Sequence, residues 1–76
     1  MAYNGWENYE TWNVALWFGN DEGLYHAYRN GRPHTAETAE ALARKCFPNG
    51  TPDFGGQPKR YDMVDWAEIA EAWNEA

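Results

Sequence analysis

The chain has 76 residues and a mass of 8.8 kDa, a size at which a domain buries only about 60% of the surface that its unfolded chain exposes. Five Trp, five Tyr and three Phe stand against three Leu, two Val and one Ile, so we expect aromatic rings to supply most of the buried area. The net charge of −6 disfavours nucleic acid and anionic membranes as partners and favours a basic protein surface. No apolar run approaches the roughly 18 residues of a membrane span, and no signal peptide is apparent. We therefore expect a soluble intracellular protein.

The first predicted element is a helix over about residues 9–18, with Asn8 as its N-cap and Gly19 as its stop. Its apolar residues Tyr9, Trp12, Ala15 and Leu16 form one stripe at helical spacing, and we expect other elements to cover the helix on more than one face. Val14, Trp17 and Phe18 extend the apolar surface, and a solvated side is left to Glu10, Thr11 and Asn13. We expect the helix to lie at the centre of the fold. Asn13, within so apolar a helix, is expected to be nearly buried and to bind the backbone of the 48–60 segment.

Two further helices are predicted in the middle of the chain. The first covers about 21–30, with Asp21 and Glu22 at its N-terminus and a left-handed exit at Asn30–Gly31. The second covers 36–47, with Thr35 as its N-cap. Its apolar face is expected to consist of Ala36, Ala39, Leu42, Ala43, Cys46 and Phe47.

Residues 48–60 contain three Pro and three Gly and are predicted to form a long loop, whose middle Phe54 attaches to the core. A short hairpin near Phe54 and Tyr61 is an alternative for part of it. The last helix is predicted over 66–75, where Asp65 and Glu68 fit a capping box. Its apolar face consists of Trp66, Ile69, Ala70 and Trp73. The expected fold is mainly α: one domain over 1–76, a bundle of three to four short helices with an aromatic core and a long Pro/Gly loop.

The residue types that support catalysis are scarce. Cys46 falls on an apolar helix face, and His26 and His34 lack the spacing of a metal site. The Asn-Gly pairs at 4–5, 30–31 and 49–50 are typical of turns and not of a phosphate-binding loop. We expect no enzyme, metal or cofactor.

Charge is segregated along the chain. Residues 1–22 carry four acids and no base, residues 62–76 carry five acids and no base, and all six bases fall between 23 and 61. The bases, with Tyr25, Tyr28 and Phe54, could form a basic patch for single-stranded nucleic acid, but the net charge opposes it.

The acidic ends of the chain form a single negative ridge if the first and last helices pack together. The candidate residues for binding a partner are Asp62, Asp65, Glu68, Glu71 and Glu75, followed by Glu7 and Glu10. Such a ridge could occupy a basic groove meant for DNA or RNA, as a DNA mimic. The alternative interpretation is the ordinary solvated face of an amphipathic helix.

The segment Tyr3–Trp17 reads YNGWENYETWNVALW and is followed by NDEGLY at 20–25. With the tail VDWAEIAE at 64–71, it resembles a family of short proteins of unknown function that phages, plasmids and integrated elements encode. The resemblance implies a mobile genetic element as the setting and carries over no catalytic residue. The aromatic rings of this motif are also explained as core residues.

The resemblance, the small size and the acidic charge together favour an inhibitor of a host nucleic-acid-targeting defence system. The leading hypothesis is an anti-CRISPR protein that binds a Cas effector, or less readily a restriction enzyme, stoichiometrically in the bacterial cytoplasm. The alternative is a non-enzymatic phage regulatory module that binds a host protein through exposed aromatics such as Tyr3, Trp6 or Trp17. A homodimer through a surplus aromatic face is a further expectation for so small a core.

Overall fold

Helices make up most of the backbone in residues 3–75, the part of the chain that this computed structural model describes. The α-helices are α1 Tyr9–Asn20, α2 Glu22–Asn30, α3 Ala36–Cys46 and α4 Trp66–Glu75, and two 3-10 helices span Pro52–Phe54 and Pro58–Met63. The predicted small helical bundle with an aromatic core and a Pro/Gly-rich segment is confirmed. The alternative hairpin is wrong, because Phe54 and Tyr61 each lie in a 3-10 helix. Within the described range, no helix is long and apolar enough to cross a bilayer.

Most helix ends follow their local capping signals. Asn8 Oδ1 accepts from Thr11 N at 2.9 Å, and Thr35 forms a capping box with Thr38 at the start of α3. The predicted stop at Gly19 is wrong: α1 continues to Asn20, and Asp21 breaks the helix with an extended backbone. Asp21 does so because its carboxylate caps α2, accepting from Leu24 N at 3.0 Å.

The exit from α2 also differs from the prediction. Gly31 has φ −91° and is not left-handed. A Cβ at this position would lie 3.1 Å from the His34 ring, so glycine leaves room here for the close approach of His34. The ring of His34 is buried against Trp73, with 5.1 Å between the ring centroids.

The side of α1 that faces the core includes Thr11, which was predicted for the solvated side, and leaves out Tyr9, Trp12 and Leu16 of the predicted stripe. Thr11, Val14 and Phe18 are fully buried, and Asn13 is buried beside them. Leu16 is 36% exposed, and Tyr9 and Trp12 pack against each other and Tyr3 instead of the core. Both stripes have helical spacing. The stripe with Thr11 is inside because its polar groups find hydrogen-bond partners there, so their burial carries little penalty.

Aromatic rings join the helices. Trp73 of α4 stacks on Tyr28 of α2 at 4.9 Å and contacts Phe18 of α1 at 5.0 Å. Phe18 also meets Phe47, just after α3, at 5.9 Å. The predicted inner face of α4 is confirmed, with Ile69, Ala70 and Trp73 buried. One indole therefore supports three helices at once.

The Pro/Gly-rich segment is pinned to the core, as predicted for Phe54. Phe54 is fully buried and meets Tyr61 edge-on at 5.6 Å. The hydroxyl of Tyr61 donates to the Phe47 carbonyl at 2.8 Å. Gly50 has φ +92°, and a Cβ there would lie 2.9 Å from Phe54 Cβ. The turn before the first 3-10 helix therefore requires glycine for both its conformation and its space.

Candidate protein-binding site

Residues 8–13 read NYETWN, and polar side chains of this motif connect α1 to the second half of the chain by hydrogen bonds. Asn8 Nδ2 donates to the Met63 carbonyl at 2.6 Å. The Thr11 hydroxyl donates to Asn8 Oδ1 at 2.7 Å and accepts from Asp65 N at 2.9 Å. These bonds place the start of α4 against the start of α1. The two acidic ends of the chain are thereby brought together, as the ridge hypothesis requires.

Asn13 extends this fastening to the first 3-10 helix. The amide is fully buried; its Nδ2 donates to Asp53 Oδ2 at 2.8 Å and its Oδ1 accepts from the Thr51 hydroxyl. The predicted burial is confirmed, but the partners are side chains and not the expected backbone. Trp17 Nε1 donates to the same Asp53 oxygen at 2.9 Å. The hydrogen bonds from Asn13 and Trp17 lower the pKa of Asp53 below its ordinary value.

Several of the predicted acidic residues have partners inside the protein. Glu10 is only 15% exposed and binds Arg60 at 2.8 Å. Asp62, which is largely exposed, lies 3.6 Å from Arg44. Asp65 caps α4, accepting from Glu68 N at 3.1 Å. These three carboxylates offer a partner less uncompensated charge than the sequence alone suggests.

The N-terminal turn places Trp6 beside α4. Asn4 and Gly5 both have positive φ, at 49° and 88°, as a two-residue type I′ turn requires. Trp6 N donates to the Tyr3 carbonyl at 2.8 Å across this turn. Glu7 N then donates to Glu68 Oε1 at 3.0 Å. The capping-box prediction is thus half wrong, since Glu68 binds the N-terminal turn and Asp65 N is satisfied by Thr11.

A shallow cavity of about 200 Å³ lies between this turn and α4. Its lining, which we call the acidic groove, consists of Gly5, Trp6, Glu68, Glu71, Ala72 and Glu75. The three glutamates follow helical spacing along one face of α4, and none of the described residues that line the cavity is basic. Glu71 and Glu75 are exposed, and Trp6 packs against the core with part of its surface open. This arrangement suits a cationic side chain or a basic protein surface.

The predicted acidic set is therefore divided by the fold. Glu68, Glu71 and Glu75 are brought together in the acidic groove, and Glu7 adjoins it through its bond to Glu68. Glu10, Asp62 and Asp65 are engaged elsewhere. Trp6 was not among the predicted acidic-site residues, although the Asn4–Gly5 pair is a strong local signal for the turn that positions it.

His26, His34 and Cys46, the side chains considered for catalysis, have surroundings that the fold alone explains. The buried His34 ring contacts the Tyr28 carbonyl at 2.9 Å and the Thr38 hydroxyl at 3.1 Å. His26 is exposed and lies 3.9 Å from Glu22. Burial raises the pKa of the half-buried Cys46 thiol, with Lys45 opposing the shift. Between residues 3 and 75, no group of His, Cys, Asp and Glu could hold a metal ion. Within the same range, no hydrogen bond joins His26, His34 or Cys46 to another of the three.

Two arginines of the basic patch considered for nucleic acid, Arg44 and Arg60, are paired with carboxylates inside the protein. Arg44 binds Glu40 at 2.7 Å as well as Asp62, and Arg60 binds Glu10 and lies over the Phe54 ring at 5.0 Å. Arg29 donates to the Tyr25 hydroxyl at 2.8 Å. The carboxylates of Glu10, Glu40 and Asp62 compensate part of the positive charge and leave less of it for a phosphate backbone.

The chain belongs to a family of unknown function, DUF7249, whose profile matches residues 1–76. No curated protein and no solved structure matches it. The family assignment carries no activity with it, so the surface itself has to support a functional proposal.

Proposed function

We propose that the protein is an inhibitor, encoded by a phage or another mobile element, of a host nucleic-acid-targeting defence system. In this proposal it is an anti-CRISPR protein that acts without catalysis in the bacterial cytoplasm. It binds a Cas effector stoichiometrically through the acidic groove and blocks the binding of nucleic acid. The observation that supports the proposal is the row of three glutamates on α4 beside Trp6, in a cavity whose described lining contains no basic residue.

The acidic groove has the chemistry of a nucleic-acid mimic. Side chains one turn apart on a helix have Cβ atoms about 5–6 Å apart, a spacing of the same order as that of phosphates along a strand. Because α4 is held by Trp73 and by the Asn8 and Thr11 contacts, its carboxylates are presented on a rigid element. Rigid presentation limits the entropy lost on binding.

Trp6 adds an apolar contact to this charged surface. Tryptophan is enriched among the residues that dominate protein interfaces, and its ring face attracts arginine and lysine. The acidic groove therefore combines long-range attraction for a basic groove with one aromatic anchor. We expect attraction to govern the association rate and Trp6 to slow dissociation.

The test is a charge reversal at the two exposed glutamates of the acidic groove, Glu71→Lys with Glu75→Lys. Glu68 is left intact because it holds the N-terminal turn. The matched control is Glu22→Lys with Glu37→Lys, which changes the net charge equally at exposed positions outside the groove. Both proteins are first checked for helicity by circular dichroism.

Tagged proteins are then used to capture partners from lysate of a bacterial host, with elution in salt steps and identification by mass spectrometry. We expect a CRISPR effector in the low-salt fractions of the wild type and the control, and its loss from the groove variant. Inhibition of target cleavage by the purified effector should follow the same pattern. Capture and inhibition that survive the groove reversal would refute the proposal.

A second candidate is a phage regulatory module that binds a host protein through exposed aromatics. It is favoured by the cluster of Tyr3, Tyr9 and Trp12, whose ring centroids lie 5.1–5.6 Å apart outside the core. Tyr3 is 41% exposed. A partner held there should resist high salt and be lost on Tyr3→Ala with Trp12→Ala, whereas the Glu71 and Glu75 reversals should leave it bound. Sedimentation of the same variants tests whether this cluster instead joins two copies of the chain.

A further inference from the structure

A second pocket lies at the C-terminal end of α1, beside the first 3-10 helix. It has a volume of about 280 Å³ and is lined by Leu16, Trp17, Asn20, Asp21 and Asp53. It shares no residue with the acidic groove, so its role can be tested independently of the proposed function. Leu16, 36% exposed, and the half-buried Trp17 provide an apolar wall. Asp21 and Asp53 provide two carboxylates, and within residues 3–75 no basic side chain lines the pocket.

The Asp53 carboxylate is held in a fixed orientation. Its Oδ2 accepts from Asn13 Nδ2 at 2.8 Å and from Trp17 Nε1 at 2.9 Å, and Asn13 is itself fully buried and bound to Thr51. The same two bonds lower the pKa of Asp53, so the carboxylate is charged at neutral pH. In residues 3–75 no hydrogen bond reaches its Oδ1. One oxygen anchors the carboxylate and the other remains available to a donor.

Asp21 is arranged in the same way. Its Oδ1 accepts from Leu24 N at 3.0 Å as the cap of α2, and none of the described residues donates to its Oδ2. The pocket therefore presents two preoriented acceptors beside an apolar wall. Preorientation lowers the cost of ordering these groups when a ligand binds.

We propose that this pocket binds an arginine side chain of a partner protein. The methylene stem would lie along Leu16 and Trp17, and the guanidinium would donate to the carboxylates of Asp21 and Asp53. Arginine suits the pocket because its planar fork has five donors and stacks on aromatic rings. The volume lies just under the roughly 300–1,000 Å³ of small-molecule sites, a size that suits one side chain. Charge complementarity decides for a basic occupant, since the lining is acidic and the protein carries a net charge of −6.

The test uses N-acetyl-arginine amide as a probe of the side chain within a peptide. Its isosteric control is N-acetyl-citrulline amide, which replaces the guanidinium by a neutral urea. The readout is the indole Nε1–H signal of Trp17 in ¹⁵N-labelled protein, together with the backbone signals of Asn20 and Asp21. We expect saturable shifts at millimolar probe that weaken as salt is added. The citrulline derivative should bind at least about tenfold more weakly, because hydrogen bonds to charged groups are roughly twice as strong as neutral ones.

Asp53→Asn is the first test variant, because its side-chain oxygen can still accept from Asn13 and Trp17 while the charge is removed. Leu16→Ala shortens the apolar wall at an exposed position. Glu37→Gln is the control, since it removes one carboxylate from an exposed site outside the pocket. We expect the dissociation constant for the arginine probe to rise about tenfold in Asp53→Asn, to rise by a smaller factor in Leu16→Ala, and to stay unchanged in Glu37→Gln.

Free L-arginine distinguishes a protein side chain from a small metabolite. Its α-ammonium and α-carboxylate cancel, so it has the same net charge as the amide-capped probe, and we expect a site that recognises the side chain alone to bind the two about equally. Tighter binding of free L-arginine would overturn the proposal in favour of a metabolite site. Equal shifts from the arginine and citrulline derivatives, equal affinity of Asp53→Asn and Glu37→Gln, or no saturable shift would each overturn it as well. A purely structural role for Asp53 predicts the last of these results.

Discussion

The hydroxyl oxygen of Thr11 accepts a hydrogen bond from the backbone nitrogen of Asp65 across 54 positions of the sequence, at 2.9 Å. Thr11 is fully buried in the first turn of α1, and Asp65 is the residue that caps α4. The same hydroxyl donates to Asn8, the cap of α1. The N-terminal ends of α1 and α4 therefore position each other. Helix α4 lines the acidic groove, and α1 follows the N-terminal turn that forms the other side of the groove.

Thr11→Val should destabilise the protein by about 1–3 kcal/mol, because it leaves the Asp65 N–H without its acceptor while keeping the shape of the side chain. Thr11→Ser is the matched control, since it retains the hydroxyl and loses only a methyl group. Urea denaturation of the three proteins measures the difference. Equal stability of the Val and Ser variants would show that the Thr11–Asp65 bond has no net effect.

Asn13→Leu should retain helicity, because leucine is a good helix former, and lower the melting temperature. The substitution leaves the buried Thr51 hydroxyl without its acceptor, at a cost of about 1–3 kcal/mol. For a domain of this size each kcal/mol corresponds to about 4–8 °C. The control is Asn20→Leu, the same change at an exposed position of α1. A melting curve of the Asn13 variant that matches the control would contradict this role.

Two glycines should respond to alanine in opposite directions. Gly19 lies within α1 with nothing within 4 Å of an added Cβ, so Gly19→Ala should stabilise the protein by about 0.5–1 kcal/mol. Gly50 has φ +92°, and its Cβ would lie 2.9 Å from that of Phe54, so Gly50→Ala should destabilise it. Thermal denaturation by circular dichroism compares the two. A gain in stability at Gly50 would refute the close packing of this turn.

Asp53 should titrate below the ordinary carboxyl value of 3.8, because Asn13 and Trp17 hydrogen-bond to its charged form. A group whose pKa is lower in the folded than in the unfolded protein stabilises the fold at pH values above the unfolded pKa. This stability is lost as the pH falls through the folded pKa. The stability contributed by this ionisation should thus fade below about pH 3.8. The Trp17 indole signal, followed against pH, measures the titration. A midpoint at or above the ordinary value would contradict the prediction.

Tyr61 should remain a neutral phenol in strongly alkaline solution, because burial raises its pKa to about 12 from 10.0. The unfolded chain releases this proton first, so stability should decline as the pH rises above 10.0. Tyrosinate absorbance, followed against pH in the wild type and in Tyr61→Phe, identifies the late-titrating group. The absorbance of the variant is subtracted from that of the wild type to isolate the Tyr61 phenol. The prediction fails if this phenol ionises at the ordinary value of 10.0.

The elements that were predictable from the sequence are those with local signals. Thr35 and Asp65 cap α3 and α4 as expected, because an N-cap needs only residues within one turn. The orientation of α1 was not predictable in this way. The stripe of Thr11, Val14 and Phe18 has the same spacing as that of Tyr9, Trp12 and Leu16. The distant partners that permit burial of Thr11 and of the neighbouring Asn13 lie in residues 51–65. Local periodicity cannot choose between the two stripes.

The candidate sites show the same division. The glutamate row on α4 follows from helical spacing alone. The pairing of Glu10 with Arg60 and of Asp62 with Arg44 depends on contacts between distant segments, so the sequence overstates the free charge of the ridge. For the second pocket, the sequence offered one indication, the presence of Asn13 in a mostly apolar helix. A buried amide there needs polar partners, but the sequence does not show that Asp53 is one of them.

The ordered Pro/Gly-rich segment has a consequence for how the chain opens. Asp53 of the segment accepts from Asn13 of α1, Phe54 is fully buried, and Tyr61, just after the segment, donates to the Ala43 and Phe47 carbonyls. The segment therefore cannot detach without disrupting the core. The hydrogen-bonded amides of Gly50, Phe54, Gln57 and Arg60 should therefore exchange with a free energy close to that of global unfolding. Trypsin should likewise cut after the exposed Lys59 only when the whole chain opens. A stretch whose composition is typical of a protease-sensitive linker would then report on the stability of the entire fold.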